Sequence, residues 1–220
     1  MRKLACLVLL TVFAAACHGQ FGERIKGSGK RELQKREVAP FTSIATEGVF
    51  TVEVTCQKDL SLEVEGDDNV LEYVTSEVTG NTLRLKNTKN YQTSEPVKFK
   101  ISVPNIEGIS VNGAGHIEVK GIKNEKFEID MNGASTIIVS GDTKTVDIGA
   151  NGAGKVDAHN LHAARGVVDS RGVARVDVDV TNQLDVSIQG SSTVTYTGDP
   201  VVNKSVQGTG KVERRSSQGA

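Results

Sequence analysis

The chain has 220 residues, with 26 lysines and arginines against 27 aspartates and glutamates, 23 glycines and no tryptophan. This near-neutral balance lacks the basic footprint of a nucleic-acid-binding protein, so no nucleic-acid partner is expected. The cysteines at positions 6, 17 and 56 are too few and too scattered to form a disulfide framework.

Residues 1–16 predict a secretory signal peptide, because two basic residues precede an apolar run over residues 4–13 and then small residues. That run is too short to span a membrane. Cys17 follows Ala14-Ala15-Ala16, an arrangement that resembles the lipobox of bacterial lipoproteins and predicts acylation of Cys17 as the first mature residue. The alternative is ordinary cleavage that leaves a free thiol. An acylated Cys17 would anchor the protein to a membrane of the cell envelope, and we expect the outer membrane.

Residues 17–37 are Gly-rich and basic, and they predict a flexible tether between the anchor and the folded domain. Without residues 1–16 the chain carries 24 basic and 27 acidic residues, a net charge of −3. Residues 38–215 are predicted to form a single β domain, and residues 216–220 a disordered tail.

The first part of this domain predicts an irregular β-rich N-terminal cap. Asp67 or Asp68 is placed to cap one short helical turn in residues 69–74, and Gly80-Asn81 predicts a hairpin turn. Cys56 ends an alternating strand, which favours a quiet, half-buried thiol. The predicted strands are Val49–Val54, Leu60–Glu65, Thr75–Val78, Thr82–Lys86 and Val97–Val103.

A short phrase then recurs six times, and each copy is anchored by a glycine 18 to 20 residues after the previous one. Apolar residues stand two and four positions before each glycine, and four and six positions after it, with polar residues between. Such alternation predicts strands with one buried face. In the last repeat Lys204 and Arg214 replace apolar residues, which predicts a polar cap that prevents end-to-end strand addition. The anchoring glycines are Gly113, Gly133, Gly152, Gly172, Gly190 and Gly208.

The glycines predict a corner in each repeat. Asn112, Asn132 and Asn151 precede the first three, and both asparagine and glycine tolerate positive φ. Asn-Gly between two strands is also typical of hairpins, and that alternative predicts an antiparallel meander. Like residues recur in columns, however, and this favours coils stacked in parallel. The predicted fold class is therefore all-β, a parallel β-helix or solenoid with coils of 18 to 20 residues.

Three segments carry a resemblance to a known family: FTSIATEGVFTVEV (41–54), LEVEGDDNVLEYVTSEVTGNTLRLK (62–86) and VPNIEGISVNGAGHIEV (103–119). Together with the signal, Cys17 and the tether, they resemble the bacterial head GIN domain family, which is also labelled as an autotransporter adhesin. The resemblance covers residues 38–212. It implies a secreted or lipid-anchored β-helix of unknown molecular function and offers no catalytic residues.

The histidines do not predict a metal site. His18 lies in the tether and His116 in an outward column, and His159 and His162 lie in HNLH without a carboxylate or cysteine at ligand spacing. Because a metal site needs three or four convergent ligands, a surface loop is favoured.

Asp157, Asp177 and Asp179 are the candidates for chemistry. Stacked coils would bring Asp157 near Asp177, close enough to share Ca²⁺ or to act as the carboxylates of a polysaccharide-degrading enzyme. Lys155 and Arg175 stand two residues away on the same strands and favour simple neutralisation. Without tryptophan, aromatic platforms for sugars are also scarce.

The leading hypothesis is a non-enzymatic envelope lipoprotein, without a cofactor, that presents a rigid polar surface to a protein, a polysaccharide or a second copy of itself. The alternatives are a β-helix enzyme that degrades polysaccharide, and a sensory or scaffolding domain of the envelope.

Overall fold

The computed structural model describes residues 24–215, so the predictions for the signal peptide, Cys17, His18 and the tail fall outside the described residues. Within this range the chain is almost entirely strand, and no helix in it is long and apolar enough to cross a membrane. The elements are β1 (Ile25–Lys26), β2 (Arg31–Arg36), β3 (Ser43–Thr55), β4 (Ser61–Asp67), α1 (Asp68–Leu71), β5 (Val74–Thr79), β6 (Thr82–Asn87), β7 (Tyr91–Gln92), β8 (Val97–Ser102), β9 (Gly108–Gly152), β10 (Lys155–Gly172), β11 (Arg175–Gly190), β12 (Thr193–Thr197), β13 (Val201–Gly208) and β14 (Lys211–Arg214).

Among residues 24–215 the strands form a two-stranded sheet, β1 with β7, and a 12-stranded mixed sheet. In the large sheet β3 and β9 to β14 pair in parallel, whereas β4 pairs antiparallel with both β2 and β8. β5 and β6 form an antiparallel hairpin around Gly80, whose φ is 60°. The predicted all-β class and this hairpin turn are confirmed.

Each repeat pairs in parallel with the next. Lys155 pairs with Thr136 on one side and with Arg175 on the other, and Arg175 pairs with Thr193. Thr193 in turn pairs with Lys211 in β14. The alternative of an antiparallel meander is therefore wrong for these strands, because parallel pairing needs a full repeat of chain between partners.

The apolar columns of the repeats form the core. Ile109, Ile129, Ile148, Val168 and Val186 stand four residues before successive glycines, and each is at most 4% exposed. The columns on the other side of the glycine are equally buried as far as β11, and in β12 Val194 is buried whereas Tyr196 is partly buried. Lys204 and Arg214 are exposed in the last repeat, and Val206 is 39% exposed there. The regular core thus ends at β13 and β14, where cationic side chains take the place of apolar ones.

The anchoring glycines form a straight column at the corner of the repeats. Their φ angles lie between 118° and 135°, and an added Cβ atom would come within 2.1 to 2.5 Å of the carbonyl oxygen of the glycine one repeat earlier. Gly48 in β3 begins this column, with a φ of 142°, and Gly113 lies against its carbonyl oxygen. No L side chain fits such a contact, so the corner requires glycine for space as well as for conformation.

The asparagines beside the column lack the positive φ that Asn-Gly suggested, but their stacking in a column is as predicted. Among the described non-glycine residues only Gln57 has a positive φ, so the residue at the corner that needs special backbone geometry is the glycine alone. Asn151 Nδ2 donates a hydrogen bond to Asn132 Oδ1 at 3.2 Å. These side chains form part of an exposed ladder along the corner.

The N-terminal cap, which we define as α1 with β1, β2 and β4–β8, corrects two expectations. Arg31–Arg36 was expected to lie in a flexible tether, but it forms strand β2 and pairs with β4. Its sequence is polar and has no apolar alternation, so it did not predict a strand. Pairing with the neighbouring strand β4 determines its conformation instead. Asp67 precedes α1, as predicted for a capping residue, but its side chain makes no capping hydrogen bond.

Candidate functional site: a carboxylate row on the stacked strands

Five of the seven positions that lie five residues after a corner glycine carry a carboxylate, and we call these five the carboxylate row; Ile138, which pairs with Asp157, and Thr195 occupy the other two positions. Glu53 pairs with Glu118, Asp157 pairs with Asp177, and Thr195 lies between Asp177 and Glu213. The row arises because strand alternation points this position outward in every repeat and parallel stacking repeats it at about 4.8 Å. The members are Glu53, Glu118, Asp157, Asp177 and Glu213.

Each member of the row has a cationic partner. The Nζ atoms of Lys98, Lys120 and Lys155 lie 2.7, 2.8 and 2.6 Å from carboxylate oxygens of Glu53, Glu118 and Asp157. Arg215 binds Asp177 at 3.1 Å, and Lys211 lies 3.9 Å from Glu213. The five carboxylates of the row are therefore each paired with a cation, and Ile138 and Thr195 interrupt the row.

Asp157 and Asp177 are adjacent, as the stacked columns suggested, and both are mostly buried. Their side chains are 13% and 9% exposed. The sequence suggested that Arg175 neutralises Asp177, but Arg175 makes no ion pair among the described residues. The cation that pairs with Asp177 is Arg215. Arg215 follows β14 and reaches Asp177 from two strands away, across β12.

The two histidines of HNLH also differ from the expectation, since each contacts a carboxylate. His159 Nδ1 contacts Asp157, which lies two residues earlier on the same strand face. His162 Nδ1 lies 2.5 Å from Asp179 Oδ2 in the next repeat, where a register irregularity interrupts the pairing of β10 and β11. The second contact depends on stacking and has no signal in the local sequence.

The electrostatics of Asp157 argue against acid catalysis. Burial by itself would raise the pKa of Asp157, but hydrogen bonds and positive charge from Lys155 and His159 outweigh it and hold the pKa below its ordinary value. A general acid needs a raised pKa near the working pH. Asp157 is therefore an ionised hydrogen-bond acceptor at neutral pH.

Asp130 is the carboxyl with the opposite shift, and it lies on a different outward face, three residues before Gly133. Partial burial and then the charges of Glu128 and Asp147 raise the pKa of Asp130. Within residues 24–215 no three histidine, cysteine or acidic side chains are grouped to hold a metal ion, and the weak metal candidates Asp157 and Asp177 belong to no such group.

Cys56 is free and fully buried, and burial raises the pKa of its thiol to about 11. A thiol with a raised pKa is rarely ionised at neutral pH and is a poor nucleophile. Cys56 is accordingly a core residue rather than part of a reactive site.

Comparison with known proteins identifies relatives of this fold. The profile of the family described as "Putative auto-transporter adhesin, head GIN domain" matches residues 40–200. This confirms the resemblance drawn from the sequence. No curated protein matches the chain at a significant level.

Solved structures of similar fold include proteins from Bacteroides fragilis and two Parabacteroides species. A "putative adhesin" from Bacteroides fragilis superposes with a TM-score of 0.73 at 22% identity, covering 87% of this chain and 100% of that chain. A "putative lipid binding protein" from Parabacteroides distasonis has a TM-score of 0.57 at 19% identity, covering 88% and 100%. A "putative adhesin" from Parabacteroides merdae has a TM-score of 0.55 at 17% identity, covering 89% and 100%. At such low identity these likenesses establish the fold alone.

Proposed function

Because the chain belongs to the head GIN domain family, we propose that it is a non-enzymatic lipoprotein of the cell envelope that binds a protein or polysaccharide through its stacked strands. The observation that carries the proposal is the carboxylate row with its cationic partners. These ion pairs offer hydrogen-bond donors and acceptors of both charges to an extended partner.

The test of binding is an array of glycans and envelope proteins, probed with the purified domain. Glu118→Gln and Asp157→Asn remove charges from the row, and Asp147→Asn removes one from another face as the matched control. We expect bound partners to be lost with the row variants and kept with the control. Equal binding by all variants would exclude the carboxylate row as the binding surface.

We propose further that the repeats close into a parallel β-helix. Support comes from the unbroken glycine column and from parallel pairing of successive repeats with a spacing of 18 to 20 residues. The double variant Asn132→Cys with Asn151→Cys should form a disulfide readily, since neighbouring coils place such residues about 5 Å apart. Asn112→Cys with Asn151→Cys spans two coils and should not. Equal crosslinking of the two pairs would contradict regular stacking.

An enzyme acting on polysaccharide is the second candidate, favoured only by the adjacency of Asp157 and Asp177. The lowered pKa of Asp157 and the ion pair of Asp177 with Arg215 argue against it. A cleavage assay on envelope and host polysaccharides with wild type, Asp157→Ala and Asp177→Ala decides the matter. Cleavage by the wild type that both substitutions abolish would show that the protein is a polysaccharide-degrading enzyme and would refute the proposal of a non-enzymatic binding protein. A sensory or scaffolding role has no observation of its own in the described residues.

The lipid anchor and the outer-membrane location are proposed from the lipobox-like sequence before Cys17. Wild type should partition into detergent and incorporate labelled fatty acid, whereas Cys17→Ser should do neither. Protease treatment of intact cells then tests orientation. Digestion would mean that the domain faces outward and that host or matrix ligands are relevant, and protection would mean that it faces the periplasm and is no adhesin.

A further inference from the structure

Residues 25–30, which we call the latch, are joined to the rest of the N-terminal cap by backbone and side-chain hydrogen bonds. Three consecutive side chains, of Asp67, Asp68 and Asn69, each bind it. The bonds run from Ser28 N to Asn69 Oδ1 at 2.9 Å, from Ser28 Oγ to Asp68 Oδ1 at 2.6 Å, from Gly29 N to Asp67 Oδ2 at 3.1 Å and from Asn69 Nδ2 to Lys26 O at 2.9 Å. Pairing of β1 with β7 adds to them, and Gly27 N donates to Gln92 O at 2.8 Å.

Gly27 of the latch packs closely against Asp67 and Thr93. A Cβ atom on Gly27 would lie 2.0 Å from Asp67 Oδ2 and 2.9 Å from Thr93 Cγ2, so only glycine fits there. The Asp67 side chain is 1% exposed, and Gly29 N donates a hydrogen bond to its Oδ2, whereas Oδ1 has no hydrogen-bond partner and lies 3.9 Å from the Arg31 guanidinium. A buried carboxylate that loses a donor is costly. Release of the latch is therefore unfavourable, and Arg24, which directly precedes the latch, is held at this end of the cap; we call its position the exit point.

Exposed cations surround this exit point. Arg24, Lys26, Lys30 and Lys89 are all exposed, and Arg24 and Lys26 line a polar cleft of about 590 Å³ together with Asp67. Lys89 lies beside Asn90, whose carbonyl accepts a hydrogen bond from Ile25. Of this group only Lys30 has a carboxylate partner among the described residues, Asp68 at 3.5 Å. Arg24, Lys26 and Lys89 therefore have no carboxylate partner within residues 24–215, whereas the neighbouring Asp67 and Asp68 lie within 4 Å of Arg31 and Lys30.

We propose that the N-terminal cap is the membrane-facing end of the protein, held against anionic lipid headgroups by these four cations. The inference rests on the lipid anchor of the proposed function. Seven residue steps separate Cys17 from Arg24, which limits the tether to about 25 Å even when fully extended. The glycine column from Gly48 to Gly208 spans six steps of about 4.8 Å, so the last repeat lies roughly 29 Å further away.

The test measures orientation on vesicles. The mature chain is coupled through Cys17 to a maleimide lipid in phosphatidylcholine vesicles, with or without phosphatidylglycerol. Cys56 does not compete, because it is buried and its pKa is raised to about 11. A fluorescent amino acid replaces Asn90 in the cap or Gln207 in the last repeat, and energy transfer to an acceptor lipid is recorded. We expect several-fold more efficient transfer from position 90. Equal or reversed transfer would overturn the proposal.

Two sets of variants test whether the cations and the latch determine the orientation of the protein on the membrane. Lys26→Glu and Lys89→Glu should lower transfer from the cap on anionic vesicles but not on neutral ones, whereas Lys211→Glu in the last repeat should leave it unchanged. An equal response of all three would mean that the cap has no specific contact with lipid.

Asn69→Ala removes two hydrogen bonds to the latch, and Asn81→Ala makes the same chemical change at the exposed hairpin turn. We expect Asn69→Ala alone to reduce the difference in transfer between the cap and the last repeat. An unchanged difference would exclude the latch as the device that fixes the exit of the chain.

The coupling replaces cellular acylation, so the two proposals can fail separately. Loss of acylation in cells with correct orientation on vesicles would refute the anchor only. Acylation in cells with random orientation on vesicles would refute the membrane-facing cap only.

Discussion

The glycine column allows a sharp test of the corner geometry with the variant Gly152→Ala. Gly152 has a φ of 131°, and its added Cβ atom would lie 2.3 Å from the carbonyl oxygen of Gly133. The same oxygen accepts the hydrogen bond of Ala153 N at 2.9 Å. The substitution therefore strains the backbone and also pushes against the acceptor that joins two neighbouring repeats.

The expected loss of stability follows from these two effects. A residue forced into such a region costs about 1–3 kcal/mol. Loss of the hydrogen bond adds roughly 1 kcal/mol. The sum is about 2–4 kcal/mol, which for a chain of this size lowers Tm by roughly 4–16 °C.

Gly80→Ala is the matched control for Gly152→Ala. Gly80 also has a positive φ, of 60°, but no atom lies within 4 Å of its added Cβ atom. The control should cost only the conformational strain of about 1–2 kcal/mol. Urea unfolding followed by circular dichroism compares the two variants with wild type. If Gly152→Ala and Gly80→Ala destabilise the protein equally, close stacking of the glycines is not what the corner requires.

Four other predictions concern two carboxyl groups, a buried hydroxyl and the free thiol. Because the pKa of Asp157 is lowered, its contribution to stability is present above the ordinary value of about 4 and is lost as the pH falls through the lowered value; Asp157→Asn should flatten this acid limb in urea titrations. The raised pKa of Asp130 has the opposite sign, so Asp130→Asn should stabilise the fold at pH 7 and lose that advantage in acid. Ser192→Ala should lower the free energy of unfolding by about 1–3 kcal/mol, because the buried N–H of Ala174 loses its acceptor at 3.0 Å. Cys56 should react with iodoacetamide only when urea unfolds the chain, and rapid labelling of the native protein would contradict its burial.

The repeats could be predicted from sequence because their information is local and periodic. Apolar residues such as Ile137 and Val156 recur at fixed distances from glycine, and both are fully buried. The end of the core could also be predicted from the sequence, because Lys204 interrupts an apolar column, and the structure shows that Lys204 is exposed. Alternation and period together therefore determine which side chains point inward.

Features that depend on residues distant in sequence could not be predicted from the sequence. β2 has only Leu33 as a large apolar residue, and that side chain is 52% exposed, so nothing in its sequence distinguishes it from a linker. Gly48 belongs to the glycine column but lies far outside the period of the repeats. Arg215 reaches Asp177 across an intervening strand, a contact that requires the stacked structure to be seen. In each case the cause is tertiary, because the partner residue lies in another strand or repeat.

Because of the glycine column, the number of repeats in this protein can change without disturbing its core. Every corner glycine after Gly48 lies against the glycine one repeat earlier, and the flanking strands pair with their counterparts in the same register. Removal or duplication of a whole repeat would therefore leave glycine against glycine at the junction, with buried columns still in line. A gene encoding such a chain can change the reach of the domain by internal duplication while the latch at one end and the cationic last repeat at the other stay intact.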